Sequence, residues 1–337
     1  MERVRKLEGV VAAGAVVLGA ALVLAGPGKA GAGEVRVTYG GAGVGATAYI
    51  MSGGLAELVS KQAKGVKMTA QATRGFEENV RLVESGELDF GMISTVLLDQ
   101  ALKGEKPFAK KHENLRAVAV AIVSPIQWVT YKKAGIRAMA DLKGKRVNMG
   151  PVGSSSAYMA GLTLEAYGVQ DAVRKSFLNW AEGARALQDG KLDAFSITGA
   201  APFPAVVEAA AAGEIHLITM DEDGVKKINA KFPTLFGYSI KKGTYRGQDA
   251  DALTIAYNGY TVAHKGVPDE AVFEVLRVMM TGEGRKQLVT VHRGWEALEL
   301  NPGFDGLKAI GLRLHPGAER YWREKGHAIP PEIAAPR

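Results

Sequence analysis

The sequence has no cysteine. That one absence excludes disulfides, a thiolate metal site and a lipid anchor on cysteine. Histidine is sparse. His112, His216, His264, His292, His315 and His327 stand apart, with no H-E-x-x-H pair or repeated spacing that would ligate zinc. No G-x-S-x-G elbow surrounds Ser154 to Ser156, so a hydrolase triad is not expected. The acidic cluster Asp221-Glu222-Asp223 sits where a helix would be capped, and it lacks the spaced oxygens that calcium requires. No catalytic residue, metal or cofactor is therefore expected. Arginine blocks interleaved with aromatics are missing too. The 42 basic and 35 acidic residues are spread along the chain, so nucleic-acid binding is not expected.

Long apolar runs are few, and the one that stands out lies at the start. Arg3, Arg5 and Lys6 precede an apolar stretch from Val10 to Ala25, and Ala30-Gly31-Ala32 follows with small residues at alternate positions. This is the pattern of a secretory signal peptide over residues 1–32, with cleavage before Gly33. The run is short for a spanning helix. Its removal takes four basic and two acidic residues and lowers the formal net charge from +7 to +5. The expected product is a soluble, exported, periplasmic protein whose mild positive field collects anions.

What the chain does have is a glycine-rich stretch, Gly40-Gly41-Ala42-Gly43-Val44-Gly45-Ala46-Thr47-Ala48-Tyr49. A short apolar strand candidate, Val35 to Tyr39, precedes it, and a helical pattern follows. Strand, glycine loop and helix N-terminus together make a seat for an anion. Glycine lets the backbone approach closely, and the first helical N–H groups point at the ligand with the dipole behind them. The same device recurs at Lys145 to Tyr158, where Ser154, Ser155 and Ser156 supply capping hydroxyls. The downstream segments also match. Glu77 to Ser94 and Ala181 to Thr198 each read as a short amphipathic helix, a glycine stop, and a strand ending in a hydroxyl residue. Two similar α/β units, each with a polar loop at its strand ends, would face each other across a cleft.

In order, the first unit reads strand 35–39, helix 49–63, strand 66–72, helix 75–84, strand 88–93 and helix 95–102. Two further strands, 115–123 and 126–131, are expected to be separated by Ser124-Pro125. The second unit reads strand 145–149, helix 155–167, strand 173–178, helix 181–188 and strand 192–197. After it come an alanine-rich helix led by Pro202 or Pro204, strand 215–219, helix 221–230, a turn at 243–249, a long strand 253–263, and a helix with Pro268 at its first position. The proline-rich tail from Asn301 is expected to wrap a surface. The long strands at 115–131 and 253–263 cross between the units twice, as a hinge would, which disfavours a plain adhesion or structural protein. The predicted lobes are 33–125 plus 255–337, and 126–254.

Five segments carry a family resemblance. They are Gln71-Ala72-Thr73-x-Gly75-x-x-Glu78-Asn79-x-x-Leu82, Leu142-Lys143-Gly144-Lys145-Arg146-Val147, Gly150-Pro151-x-Gly153-Ser154, Asp193-Ala194-Phe195 and Gly243-Thr244-Tyr245-x-Gly247-Gln248-Asp249. In this order and spacing the chain resembles the TAXI group of solute receptors that serve TRAP (tripartite ATP-independent periplasmic) transporters. The similarity spans about residues 35–290. It implies a type II periplasmic-binding-protein fold: α/β, with two lobes joined by a two-strand hinge and the ligand in the cleft between them. It also implies delivery of an anionic solute, such as a dicarboxylate, a 2-oxo acid or an acidic amino acid such as glutamate, to TRAP membrane permease subunits. The receptor is expected to act as a monomer. The chain departs from the family pattern at Ile50-Met51, Arg74, Ile93-Ser94-Thr95 and Arg246. Thr95 in place of an acid and Arg74 in place of a glycine make the pocket more positive.

The expected ligand contacts are Gly43, Thr47, Tyr49, Thr73, Arg74, Ser94, Thr95, Gly153, Ser154, Ser155, Ser156, Thr198, Pro202 and Phe203. Arg74 is expected to fork onto a ligand carboxylate. Tyr158, Trp180 and Phe195 are further candidates for a pocket wall. The alternative is an NADP-dependent oxidoreductase. Gly41-x-Gly43-x-x-Ala46 loosely matches a dinucleotide fingerprint, and Arg74 near the end of the second strand would read a 2′-phosphate.

Overall fold

A computed structural model describes residues 33–299 and 303–336. The expected signal segment, 1–32, lies outside the described residues. The first unit comprises β1 (Val35–Gly40), α1 (Thr47–Gln62), β2 (Val66–Gln71), α2 (Phe76–Ser85), β3 (Phe90–Ser94) and α3 (Thr95–Lys103). The long β4 (Leu115–Tyr131) leads to the second unit: β5 (Arg146–Asn148), α4 (Ser155–Ala166), β6 (Arg174–Ser176), α5 (Trp180–Gln188), β7 (Ala194–Thr198) and α6 (Pro204–Ala212). Then come β8 (Ile215–Ile218), α7 (Glu222–Lys231), β9 (Phe236–Ile240), β10 (Ala252–His264), α8 (Asp269–Met280), α9 (Gly282–Val291), α10 (Phe304–Ile310) and α11 (Pro316–Glu324).

The repeat read from the sequence is a repeat of topology. In the first unit β1 pairs in parallel with β2 on one side and β3 on the other, through Val37↔Met68 and Tyr39↔Phe90. In the second, β5 does the same with β6 and β7, through Val147↔Lys175 and Val147↔Ala194. One acid serves the same end in each unit. Asp89 accepts the Thr38 N–H at 2.8 Å and its hydroxyl at 3.0 Å, tying the start of β3 to β1. Asp193 accepts the Arg146 N–H at 2.7 Å and its guanidinium at 2.7 Å, tying the start of β7 to β5. Asp193 is held below the usual carboxylate range by the Arg146 side chain.

The two triplets are joined through β10 and β4, giving the strand order β2-β1-β3-β10-β4-β7-β5-β6. Up to Pro125, β4 pairs antiparallel with β10. From Ile126 it pairs with β7 (Ile126↔Thr198) and β8 (Trp128↔Ile218). One strand thus belongs to both sheets, and the chain forms two α/β lobes linked by long strands. The expected interruption at Ser124-Pro125 does not occur. Proline cannot donate to a ladder, but here it sits where the strand changes partners, and its carbonyl accepts the Gly199 N–H at 3.2 Å.

Glycine in the first loop is required by packing. Asn79 on α2 is fully buried and donates to the carbonyls of Gly40, Gly41 and Met92 at 3.1, 2.8 and 2.9 Å. A Cβ at Gly40 would lie 2.8 Å from Asn79 Oδ1 and 2.5 Å from Leu88, so a larger residue would displace both side chains. In the second loop Gly150 has φ +87°, a left-handed conformation open to glycine. Trp128 on β4 donates to Thr163 at 3.0 Å and fixes α4 over the second sheet.

Three other expectations need correction. Pro268 is the N-cap of α8, one position earlier than expected, and Asp269 and Glu270 fill the first turn. Strand β9 and helix α9 were not anticipated. The tail does more than wrap a surface. Helix α10 and helix α11 add Leu307, Ala318, Tyr321 and Trp322 to the core, and Trp322 Nε1 donates to the Val118 carbonyl of β4 at 3.0 Å. Pro316, counted as a loop signal, opens α11 at N1, where a missing N–H costs nothing. Among the described residues no helix is long and apolar enough to cross a membrane.

Candidate functional site

Three helix N-termini meet at one small cavity, of about 40 Å³. Helix α1 starts at Ala46, which has no side chain able to cap it. Helix α2 starts at Gly75, φ +131°, again without a side-chain cap. Ala46, Thr47 and Ala48 from α1 and Gly75 and Phe76 from α2 line the cavity. The first N–H groups of a helix need partners, and at these two ends no side chain supplies one. Helix α4 is capped: Ser154 Oγ accepts the Ala157 N–H at 3.2 Å. Its own hydroxyl donates to the Pro151 carbonyl at 2.6 Å.

Hydroxyl groups fill the rest of the polar wall. Ser156 Oγ accepts the Thr198 N–H at 2.9 Å and faces Trp180 Nε1 at 3.5 Å. The Thr198 hydroxyl is buried and has no protein partner. Tyr257, from the crossing strand β10, is fully buried, with its hydroxyl towards Ser155 and Ser124. Burial pushes that phenol up to about 12, against the opposing effect of the two serines. It therefore stays protonated at neutral pH and remains a donor. No acidic side chain lines the cavity. The two helix N-termini without side-chain caps present the positive ends of their dipoles to it, and the Thr198 hydroxyl has no other partner, which suits an anion.

The walls come from both lobes, and the lobes touch across the cleft. Thr47 Oγ1 donates to the Ala200 carbonyl at 3.4 Å. Gln100 Nε2 donates to the Tyr158 hydroxyl at 3.4 Å. His292, after α9, sits 3.0 Å from the Pro202 carbonyl through Nε2, and burial lowers its pKa. A second chamber of about 460 Å³ adjoins the first and shares Ser154, Ser155 and Tyr257 with it. A third space, about 190 Å³, lies between Arg74, Glu77, Glu78 and Arg81 on one side and Val152 and Gly153 on the other.

Of the residues expected to contact ligand, the structure brings Thr47, Arg74, Ser154, Ser155, Ser156, Thr198 and Phe203 to the small cavity. Ser94 and Gly153 line the second chamber. The others do not line these cavities. Thr73 is a turn residue whose hydroxyl accepts the Gly75 N–H at 3.3 Å. Thr95 donates to the Asn258 carbonyl at 3.1 Å. Pro202 offers its carbonyl to His292, and Tyr49 lies on the outer part of α1, 37% exposed. Gly43 faces Trp180, which would lie 3.5 Å from a Cβ there. Arg74 reaches the wall, but its guanidinium is bound to Glu78 and its side chain is 88% exposed. Phe195 is core. Sequence reading missed Tyr257 and Ser124. Neither lies in a loop, and only the register Tyr257↔Ser124 between β10 and β4 places them together.

The model of the NMT1-like family matches residues 39–326. The chain belongs to the NMT1-like family. The matched stretch of this NMT1-like chain contains every element that lines the cleft. Among solved structures, it is similar to the periplasmic aliphatic sulphonate binding protein SsuA from Escherichia coli, at 14% identity over 89% of each chain and a TM-score of 0.48. It is also similar to PhnD1 from Prochlorococcus marinus in complex with methylphosphonate, at 13% identity over 78% of this chain and 90% of that one, TM-score 0.49. An ancestral arginine-binding protein bound to arginine matches at 16% identity over 77% of this chain and 97% of that one, TM-score 0.47.

Proposed function

We propose that this NMT1-like protein is an extracytoplasmic solute-binding receptor. It captures a small carboxylate anion between its lobes and delivers it to an ion-gradient-driven permease of the TRAP type. One observation carries the reading: two helix N-termini without side-chain caps and a third, serine-capped one converge on a small cavity with no acid on its wall. Two helix ends without side-chain caps at one cavity leave donors to be satisfied, and a bound anion satisfies them. The lobes are residues 33–125 with 255–337, and 126–254, and β4 and β10 act as the hinge. Cleft contacts such as Thr47 to Ala200 are those a closing ligand would consolidate.

The permease assignment and the periplasmic location rest on the ordered sequence motifs and the N-terminal segment. Carboxylates are the ligand class, with dicarboxylates, 2-oxo acids and acidic amino acids as the members the resemblance points to. The receptor works as a monomer and without a metal. Calorimetric titration of a panel of carboxylates, amines and neutral sugars tests the reading. Carboxylates alone should bind, and their Kd should be insensitive to chelator. Binding confined to amines or sugars would overturn it.

A further inference from the structure

The small cavity and the larger chamber differ in chemistry as well as size. The first, at about 40 Å³, has space for about three water molecules. That accommodates a carboxylate head and little more. The second, at about 460 Å³, lies within the range of about 300–1,000 Å³ typical of pockets that hold whole small molecules. The two meet at Ser154, Ser155 and Tyr257, so whatever extends from the head enters the chamber there.

The chamber's wall is largely apolar. Val96 and Leu97 come from α3 in one lobe and Tyr158 and Met159 from α4 in the other, with Pro107 closing one side. Met159 is fully buried, and Val96 and Leu97 nearly so. Two charged residues belong to the wall: Glu77 is paired with Arg81 at 2.8 Å, and Lys106 is exposed. A second carboxylate placed against Val96, Leu97 and Met159 would lose its hydration with no donor there to replace it, an unfavourable exchange. An alkyl chain would gain from the same surroundings.

We propose that the ligand is a tailed monocarboxylate, with its anionic head among the helix N-termini and an unbranched apolar chain in the chamber beyond Ser155 and Tyr257. The proposal rests on the anion-receptor reading and, within the carboxylates, sets a tailed monocarboxylate in place of the dicarboxylates and acidic amino acids that the resemblance points to. Because the chamber is walled by both lobes, the chain also bridges α3 and α4, so a longer tail holds the cleft shut more firmly.

Two titration series decide it, run by calorimetry on the full mature chain. One is propanoate, butanoate, hexanoate and octanoate; the other is succinate, glutarate and glutamate. The monocarboxylates should tighten by about fourfold per added methylene, until the chamber is full. Ala157→Phe, which fills the chamber from α4, should flatten that dependence, so that octanoate binds no more tightly than butanoate. Thermal melts of the variant establish that it is folded. Tight binding of succinate or glutamate with no gain along the monocarboxylate series would overturn the tailed ligand and leave the anion receptor standing. A chain-length gain that persists unchanged in Ala157→Phe would also overturn it, since the tail would then lie elsewhere. If no member of either series binds, the anion reading fails and this inference fails with it.

Discussion

Arg74 and Glu78 form an ion pair one turn apart at the start of α2. Arg74 Nε lies 2.9 Å and Nη2 2.8 Å from Glu78 Oε1, and Arg74's own N–H is held by Oε2 at 2.6 Å. The pair stiffens the uncapped entry to α2. It also occupies the guanidinium fork that the sequence suggested for a ligand. Glu78 is accordingly held below the usual carboxylate range, first by the Arg74 N–H and then by its side chain.

Because the Arg74 side chain is largely solvated and already paired, Arg74→Ala should weaken carboxylate binding by less than about 1 kcal/mol, or about fivefold. The remaining affinity comes from backbone N–H groups and hydroxyls. Calorimetry on the variant checks this. A loss of a hundredfold would mean that Arg74 leaves Glu78 for the ligand.

Tyr257→Phe removes a donor that stays protonated up to about pH 12. A hydrogen bond to a charged group contributes about 1.5–3 kcal/mol, so the variant should bind the best carboxylate about 10- to 100-fold more weakly. The ring remains, so the melting temperature should change little. An unaltered Kd would remove Tyr257 from the site.

The structural role of the repeated acid is separable from binding. Asp89→Ala leaves the partly buried Thr38 N–H without its acceptor. It should cost about 1–3 kcal/mol of stability, read as a lower urea midpoint at an unchanged slope. Stability within about 0.3 kcal/mol of wild type would show that water replaces the carboxylate freely.

These residues also show what the sequence made legible. The glycine loops and the hydroxyl caps are local patterns, and local patterns read well from a single chain. Ser154 to Ser156, Thr47 and Thr198 were accessible for that reason. Tyr257 and Ser124 were not, because each lies inside a long apolar strand and acquires its role only from the register between β10 and β4. Helix α9 was hidden by Gly282 and Gly284, two poor helix formers, although Thr281 caps it by accepting the Gly284 N–H at 2.9 Å. The Arg74 pair with Glu78 was present in the spacing as an i,i+4 couple, and the ligand reading passed over it.

His315 supplies a pH dependence. It is fully buried at the N-cap of α11, where its Nδ1 accepts the Gly317 N–H at 3.2 Å. Burial, opposed by Asp269 and reinforced by Arg116 and His264, lowers its pKa from 6.5 to about 4. The unfolded chain therefore takes up the proton first as pH falls. The contribution of neutral His315 is complete above about pH 6.5 and is lost progressively down to about pH 4, on the order of 3 kcal/mol in all. Urea unfolding at pH 7 and pH 5 should show the decline, and His315→Gln should show less of it. An equal decline in the variant would assign it to other groups.

The central claim is that an anion completes the helix N-termini of α1 and α2 inside the cleft. A crystal structure with the tightest-binding carboxylate tests it most directly. The account predicts carboxylate oxygens at about 2.7–3.0 Å from the first N–H groups of both helices, with the Thr198 and Tyr257 hydroxyls turned towards them. A carboxylate bound outside the cleft, or held there by side chains while both helix ends face only water, would contradict it.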